Sequence, residues 1–382
     1  MRLYRIIPAL LVLLLATRPA GAFETKARAA LVIDYDTGTV LFEKNADVSM
    51  PPASMSKLMT LDMVFEALDD GRLSLDEKLP VSKHAMSYSG STMFLNTRDH
   101  VRVEDLIRGV IILSGNDACV VLAEALAGSE PEFAAAMTKR AHELGMTQSH
   151  FANANGWPNP GQRMSARDLV FLAKRIIQKF PQYYKYFSET EFAFDGRAPA
   201  NRFNRNPLLK LGVGADGLKT GHTNEAGYGV VGSAVKNGRR VVMMISGLKT
   251  AADRASEAGK VINWAFRQFS KKQVLKAGQI MGRAAVWLGQ KPEVDVVVKD
   301  DLSLLLPVSA TKKLQASLLM VQPIAAPINK GQKLGQLKIT IPDMHPVSVP
   351  VFAATNVGKT GFVGRLKMSA RVLGNKILDL AK

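Results

Sequence analysis

The spacing of apolar residues changes twice along this chain, and the change restricts its fold more than any other feature. Residues 30–45 (ALVIDYDTGTVLFEKN) alternate as two strands around a short turn, whereas much of 102–180 carries apolar side chains at helical spacing. Alternation returns after residue 216, where Asn237-Gly238 separates two apolar stretches as in a β-hairpin, and a closing helix follows over 257–269. This order predicts an α/β (α+β) fold, an antiparallel sheet with a helical cluster packed against it.

The length of 382 residues favours two domains over one core. We assign residues 23–271 to the first domain. Short strands and turns over residues 272–357 predict a small all-β domain. The tail, residues 358–382, has apolar positions on one helical face and basic residues mostly off it, which predicts an amphipathic helix.

Residues 1–22 have the features of an export signal. Arginines precede an apolar run at residues 6–15, and Ala20-Gly21-Ala22 supplies a small-residue cleavage site. We therefore expect a mature chain that begins near Phe23 and works outside the cytoplasm.

The chain is strongly basic, with a formal net charge of +17, and the predicted signal contains no acidic residue. This favours anionic partners such as cell-wall polymer or acidic lipid head groups. Nucleic acid is disfavoured, because export removes the usual target and no recognition motif is present. We expect peripheral association with the periplasmic face of the cytoplasmic membrane through residues 358–382; packing of that helix on the β domain is the alternative.

Cys119 is the single cysteine, so no internal disulfide forms, and we expect it to fill the core.

Three short motifs occur in a suggestive order. Ser-x-x-Lys begins at residues 54, 233, 246 and 309, Ser-x-Asn occurs once at 114–116, and Lys-Thr-Gly occurs at 219–221 and 359–361. The copies at 233 and 246 lie in predicted strands, where residues three apart point to opposite faces, and the copy at 309 lies in the β domain. Only Ser54 begins a predicted helix. The Lys-Thr-Gly at 219–221 lies on a predicted strand, whereas the second copy begins the tail.

The pair Ser54 and Lys57 suits nucleophilic catalysis. A serine hydroxyl becomes a useful nucleophile when a base removes its proton. The i, i+3 spacing places Lys57 one helical turn from Ser54, and burial of the lysine would favour its neutral, basic form. The helix N-terminus also directs backbone N–H groups toward a developing oxyanion.

The other two motifs supply matching groups. Ser114 offers a second hydroxyl that relays a proton, and Asn116 offers an amide that binds a substrate amide. Lys219-Thr220-Gly221 adds a cation, a hydroxyl and a position where the backbone approaches a ligand closely. The six histidines lack metal-ligand spacing, and we expect neither a metal nor another cofactor.

These motifs resemble those of low-molecular-mass penicillin-binding proteins, which are serine D-alanyl-D-alanine carboxypeptidases. The resemblance is carried by PPASMSKLMT, GSTMFL, LIRGVIILSGNDACVVLAE, NRNPLL and DGLKTGHTNEAGYG, and it extends to the β domain and the tail. It implies the penicillin-binding-protein/β-lactamase-like transpeptidase fold. It also implies peptidoglycan stem peptides as substrates and β-lactams as covalent inhibitors.

The resemblance further implies roles for the residues of the motifs. Ser54 would attack the peptide bond between two D-alanines, with Lys57 as base and the backbone N–H groups of Ser54 and His222 as the oxyanion hole. Ser114 and Lys219 would control the proton of the leaving group.

The remaining residues would bind the substrate. Asn116 would hold the acyl-side amide, Gly221 would allow close approach, and Thr220 would bind the terminal carboxylate. Arg254, expected in a loop, would clamp the same carboxylate.

Four alternative functions can be compared with the sequence. An endopeptidase that cuts cross-linked stems needs the same residues, and the sequence does not separate it from a carboxypeptidase. A β-lactamase needs an acidic residue over the acyl-ester, and residues 153–168 offer only Asp168, which pairs with Ser165 as a helix cap. A silent wall-binding protein would not need the four intact catalytic residues. A nucleotide-binding P-loop at NVGKTGF has Ala353 where glycine is required.

Overall fold

The computed structural model describes residues 23–362 and 364, apart from 198, 309–313, 343 and 345. The predicted signal peptide, most of the predicted tail helix and the Ser-x-x-Lys copy at 309–312 lie outside the described residues.

A five-stranded antiparallel sheet forms the centre of the first domain. The strands of this domain are β1 (Ala29–Asp34), β2 (Val40–Lys44), β3 (Lys78–Pro80), β4 (His100–Arg102), β5 (Ala215–Thr223), β6 (Gly227–Lys236) and β7 (Arg239–Leu248). The central sheet has the order β2-β1-β7-β6-β5, and β3 and β4 form a separate pair. Strand β5, which carries the Lys-Thr-Gly, is therefore an edge strand.

The predicted turn between β6 and β7 is confirmed. Asn237 and Gly238 have φ angles of 52° and 73°, the left-handed values that a two-residue hairpin loop requires. The Ser-x-x-Lys copy at 233 lies within β6, as expected, and the copy at 246 begins in β7 with its lysine just past the end of the strand.

Helices cover both faces of the sheet. They are α1 (Lys57–Asp69), α2 (Lys83–Ser87), α3 (Val103–Arg108), α4 (Asn116–Ala127), α5 (Glu130–Glu143), α6 (Ala166–Lys179), α7 (Pro181–Tyr184) and α8 (Ala251–Gln268). Side chains alternate along β1, so that Leu31 and Ile33 pack with the cluster containing α1 and α4, while Ala30 and Val32 pack with α8. The predicted α+β architecture is confirmed as three layers, with the sheet in the middle.

Helix α8 begins six residues earlier than predicted. Thr250 caps it by accepting a hydrogen bond from the Asp253 N–H, so the helix starts at Ala251 rather than at residue 257. Arg254 consequently lies in the first turn of α8, and the prediction that it lies in a loop was wrong.

The second domain is built of short strands, as predicted. They are β8 (Phe269–Leu275), β9 (Ile280–Trp287), β10 (Glu293–Val297), β11 (Leu302–Pro307), β12 (Gln315–Leu319), β13 (Ile324–Ala325), β14 (Lys333–Thr340) and β15 (Val347–Ala353). Six form a sheet in the order β12-β14-β15-β10-β9-β13, and β11 pairs with β8. Strand β8 follows α8 without a loop, so the proposed boundary after residue 271 falls inside this strand.

The second Lys-Thr-Gly is held by the β domain. Lys359 forms a β-bridge with Gly289, and the Thr360 N–H donates to the Leu288 carbonyl at 2.9 Å. Within the described part of the chain, no helix is long and apolar enough to span a bilayer. The same residues contain no group of His, Cys, Asp and Glu side chains arranged to hold a metal ion.

Candidate active site

Ser54 lies in a short 3₁₀ turn, Ala53–Ser56, that leads directly into α1. Ala53 has a left-handed φ of 49°, which turns the chain sharply and leaves Ser54 half-buried. Lys57 is the first residue of α1 and is fully buried, and its Nζ donates to Ser54 Oγ at 2.9 Å. The predicted contact between these two residues is present.

The Lys57 amine has three acceptors, one for each N–H of an ammonium group. They are Ser54 Oγ, Asn116 Oδ1 at 2.7 Å, and the backbone carbonyl of Asn155. Burial lowers the pKa of this lysine to about 8, from an ordinary value of 10.5. About one tenth of this amine is therefore neutral at pH 7, and a neutral amine is the form that a general base requires.

Ser114 and Asn116 lie at the break before α4, as predicted. A π-helical turn, Gly109–Leu113, ends at Ser114, which has a left-handed φ of 62°. Asn116 starts α4, and its Nδ2 donates to the Ser89 carbonyl at 2.9 Å. One Nδ2 hydrogen remains for a ligand, while Oδ1 accepts from Lys57.

Asp117 fixes the loop that faces these residues. Its buried carboxylate accepts from the N–H groups of Met93 and Leu95, at 2.9 and 3.1 Å. The Asn116 N–H donates to the Ser91 carbonyl at 2.7 Å. The start of α4 and the segment 89–95 thus form one rigid wall of the site.

Lys219 on β5 pairs with Ser114. Its Nζ donates to Ser114 Oγ at 2.9 Å and to the Thr220 carbonyl at 3.2 Å, and only 2% of the residue is exposed. Burial lowers the pKa of Lys219 well below its ordinary value, and the positive charges of Lys57 and Arg205 lower it further. Lys57 is therefore close enough to Lys219 to disfavour a second positive charge there.

Two glycines let the backbone close around Ser54. A Cβ on Gly221 would lie 2.9 Å from the Pro52 carbonyl oxygen, and one on Gly156 would lie 2.1 Å from the Ala53 carbonyl oxygen. Neither position accepts a side chain without displacing the turn that carries Ser54. Gly221 therefore lets β5 pack closely against the turn that carries Ser54, and its close approach to a ligand stays a prediction.

Arg254 reaches the same edge of the sheet through an aromatic stack. His222 and Tyr228 are cross-strand partners on β5 and β6, with ring centroids 3.8 Å apart. The Arg254 guanidinium lies over the Tyr228 ring at 5.6 Å. Its buried Nε has no hydrogen-bond partner among the described residues, and its charge contributes to the lowered pKa of Lys219. Arg254 is thus placed beside the Lys-Thr-Gly strand, where its Nη2 donates to the Arg205 carbonyl at 3.4 Å.

Sequence reasoning did not identify two contributors. The Asn155 carbonyl completes the environment of Lys57, but a backbone carbonyl carries no residue-type signal. Arg205 donates to Asn201 Oδ1 at 2.6 Å and to the Ser91 hydroxyl, both neutral. It lies in the NRNPLL stretch, which resembles the family but contains no motif that predicts a role for Arg205.

The acidic residues Asp168 and Glu130 make structural hydrogen bonds. The Asp168 carboxylate accepts from the Ser149 hydroxyl at 2.8 Å, and the Asp168 N–H donates to the Ser165 side chain, which caps α6. Glu130 is buried and accepts from the Ala154 N–H at 3.0 Å and the Tyr88 hydroxyl at 2.8 Å. Both carboxylates therefore have structural roles.

Cys119 is buried among core residues, as expected. Burial raises the pKa of its thiol to about 12, so it stays protonated beside Lys57.

Comparison with known proteins agrees with this geometry. The model of the Peptidase_S11 family, described as D-alanyl-D-alanine carboxypeptidase, matches residues 16–250. This chain belongs to that family. The C-terminal domain of penicillin-binding protein 5 matches residues 269–359, from the first residue of β8.

Curated relatives cover most of the chain. D-alanyl-D-alanine carboxypeptidase DacC of Escherichia coli is 37% identical, over 92% of this chain and 89% of its own length. D-alanyl-D-alanine carboxypeptidase DacF of Bacillus subtilis is 34% identical, over 90% of this chain and 88% of its own length. The predicted activity, a serine-type D-alanyl-D-alanine carboxypeptidase, is confirmed.

Solved structures show the same architecture. The D-alanyl-D-alanine carboxypeptidase DacD from Francisella tularensis has a TM-score of 0.77 at 30% identity, covering 90% of this chain and 96% of that protein. Penicillin-binding protein D2 from Listeria monocytogenes, solved in its ampicillin-bound form, has a TM-score of 0.59 at 33% identity, covering 65% of this chain and all of that protein. The predicted penicillin-binding-protein/β-lactamase-like fold with a C-terminal β domain is confirmed.

Proposed function

We propose that this carboxypeptidase removes the terminal D-alanine of peptidoglycan pentapeptide stems through an acyl-enzyme on Ser54. The observation that carries the assignment is the buried Lys57 amine, 2.9 Å from Ser54 Oγ, with a pKa lowered to about 8. A base so placed and so tuned is what a serine nucleophile needs.

Acylation begins when Ser54 Oγ attacks the carbonyl carbon between the two D-alanines and its proton passes to Lys57 Nζ. The backbone N–H groups of Ser54 and His222 stabilise the oxyanion. The C–N bond then breaks as the leaving amine takes a proton through the Ser114 hydroxyl, which Lys219 orients. An ester on Ser54 and free D-alanine are the products of this half-reaction.

A carboxypeptidase recognises its substrate by binding the C-terminal carboxylate. Thr220 and Arg254 are proposed to bind it together, because the guanidinium lies at the end of the strand that bears Thr220 and has an unpaired buried donor. Asn116 holds the acyl-side amide through its remaining Nδ2 hydrogen.

Water then hydrolyses the ester and restores Ser54. β-Lactams are proposed to stop at the acylated stage, as the ampicillin-bound form of the Listeria relative suggests. Glu130 and Asp168 are engaged elsewhere, so neither is positioned as the extra base of a β-lactamase.

A fluorescent penicillin tests the nucleophile. We expect Ser54→Ala to abolish covalent labelling and to lower D-alanine release from a pentapeptide by at least about 10³-fold. Ser246→Ala is a matched control, since Ser246 is buried, begins another Ser-x-x-Lys and lies in the interior of β7. Labelling that persists in Ser54→Ala, or is lost in Ser246→Ala alone, would refute the assignment.

We also propose that the chain is exported and held at the periplasmic face of the cytoplasmic membrane by its tail. The support is the sequence of residues 362–380, in which five apolar residues share one helical face and basic residues flank it. Truncation after Gly361 keeps the contacts of Lys359 and Thr360 with the β domain. We expect the truncated enzyme to stay active and to leave vesicles of anionic lipid, and unchanged sedimentation with those vesicles would reject the anchor.

A further inference from the structure

One aromatic side chain at the active site has no role in the reaction described above. Trp157 is 41% exposed, and its backbone is held firmly. Its N–H donates to the side-chain oxygens of Asn153 and Asn155, at 3.1 and 2.9 Å, and its carbonyl accepts from Asn153 Nδ2 at 3.0 Å. The loop that carries the exposed ring is therefore well anchored.

The indole lies next to the amide of Asn116. A Cβ placed on Gly90 would be 3.6 Å from Trp157 Cζ3 and 3.7 Å from Asn116 Nδ2, so both groups border the same small space. Gly90 has a left-handed φ of 78° and leaves that space open. Tyr88 packs edge-on against the indole, with ring centroids 5.8 Å apart.

We infer that Trp157 and Tyr88 form an aromatic shelf that binds the aliphatic side chain of the residue preceding D-Ala-D-Ala. The inference rests on the proposed function, in which Asn116 binds the amide on the acyl side. The residue on the far side of that amide begins beside Asn116, where the indole lies. The shelf would therefore contact the residue of the peptide next to the amide that Asn116 binds.

The chemistry of the shelf fits a diamino acid. Peptidoglycan stems carry one before D-Ala-D-Ala, with a methylene chain that ends in an ammonium group. An indole provides apolar contact for methylenes and a π face for a cation. The Tyr88 hydroxyl donates to the Glu130 carboxylate at 2.8 Å, which places an acidic group beneath the shelf.

Three acyl tripeptides test the shelf: acetyl-Lys-D-Ala-D-Ala, its norleucine counterpart, and acetyl-Gly-D-Ala-D-Ala. For the full chain carrying Trp157→Ala, we expect kcat/KM to fall about 10-fold with lysine and norleucine, and less than about 2-fold with glycine. Trp157→Phe should recover most of the loss. Phe171→Ala, which removes another exposed aromatic ring on α6, should change none of the three.

An equal fall with all three peptides would overturn the inference, because Trp157 would then act only by supporting the Asn155 loop. Equal activity of wild type and Trp157→Ala on all three would overturn it too. Failure of the proposed function is a separate result, since it appears as turnover by Ser54→Ala whatever the ranking of the three peptides.

Discussion

The two serine–lysine pairs of the site have the same geometry and different surroundings. Lys57 donates to Ser54 and Lys219 donates to Ser114, both at 2.9 Å, and both amines are buried. Lys57 has three acceptors, whereas Lys219 has two, its serine and the Thr220 carbonyl. Distance alone therefore does not distinguish the base from its partner.

The surrounding charges do distinguish them. Burial lowers the pKa of Lys57 to about 8, while the negative charges of Asp117 and Glu130 oppose the fall. Burial also lowers the pKa of Lys219 well below its ordinary value, and the positive charges of Lys57 and Arg205 act in the same direction. Nearby carboxylates thus favour the ammonium form of Lys57, whereas the cations around Lys219 disfavour a second positive charge there.

Replacing Lys57 tests most directly whether it is the base of the first pair. We expect Lys57→Met to lower the second-order rate of acylation by benzylpenicillin by about 10³-fold or more, because the amine that is hydrogen-bonded to Ser54 Oγ is lost. Stopped-flow labelling measures the rate, and thermal unfolding verifies that the variant is folded. Acylation by folded Lys57→Met within tenfold of wild type would assign the base elsewhere.

Removing the second lysine should have a smaller effect of a different kind. We expect Lys219→Met to slow acylation about 10²-fold, because the leaving nitrogen loses an oriented proton donor. The midpoint of the pH–rate profile should remain near 8, since Lys57 still titrates there. If the limb near pH 8 vanished in Lys219→Met instead, the roles of the two lysines would be exchanged.

The sequence predicted the Ser54–Lys57 pair from residue type and spacing, whereas a joint role for Ser114 and Lys219 came from the family resemblance. Ser54 and Lys57 are three apart at a helix start, and Lys219 is on a strand. What the sequence did not predict depends on atoms without such a signal. The Asn155 carbonyl that holds Lys57 is a backbone group, brought close by the loop at Gly156.

The fold was predictable to a similar degree. The Asn-Gly hairpin and the strands of the β domain follow from turn residues and alternation. The start of α8 was missed because the closing helix was predicted to begin only at residue 257, so its cap at Thr250 was overlooked and Arg254 was placed in a loop. Strand β8 was missed because it follows the helix with no turn residue between them.

Arg254 belongs to the surroundings of the second pair, because its charge lowers the pKa of Lys219 and it lies beside the Lys219 strand. We expect Arg254→Gln to lower kcat/KM for a D-Ala-D-Ala peptide about 30-fold, since a charge-assisted contact with the carboxylate is lost. The same peptide with a C-terminal amide is the control and should be hydrolysed equally by both enzymes.

A double-mutant cycle with Thr220→Val asks whether both residues bind one carboxylate. If they do, the losses in Thr220→Val and Arg254→Gln should not add in the double variant. Strict additivity would mean two separate contacts. Equal loss on the amide peptide would mean that Arg254 acts on the fold.

Replacing Arg205 tests whether its charge lowers the pKa of Lys57, and it should change the acylation rate least among these variants. Its positive charge lowers the pKa of Lys57, so Arg205→Gln should raise that pKa and move the midpoint of the acylation profile above 8. The neutral amine is the active form, and activity rises with pH through the midpoint. The variant should therefore be slower than wild type below pH 8 and approach it at higher pH. A shift of about half a unit corresponds to a loss of about 3-fold at pH 7.

Arg202→Gln is the matched control, because Arg202 is already paired with Glu191. A midpoint that stays in place, or moves down, would show that the Arg205 charge does not tune Lys57.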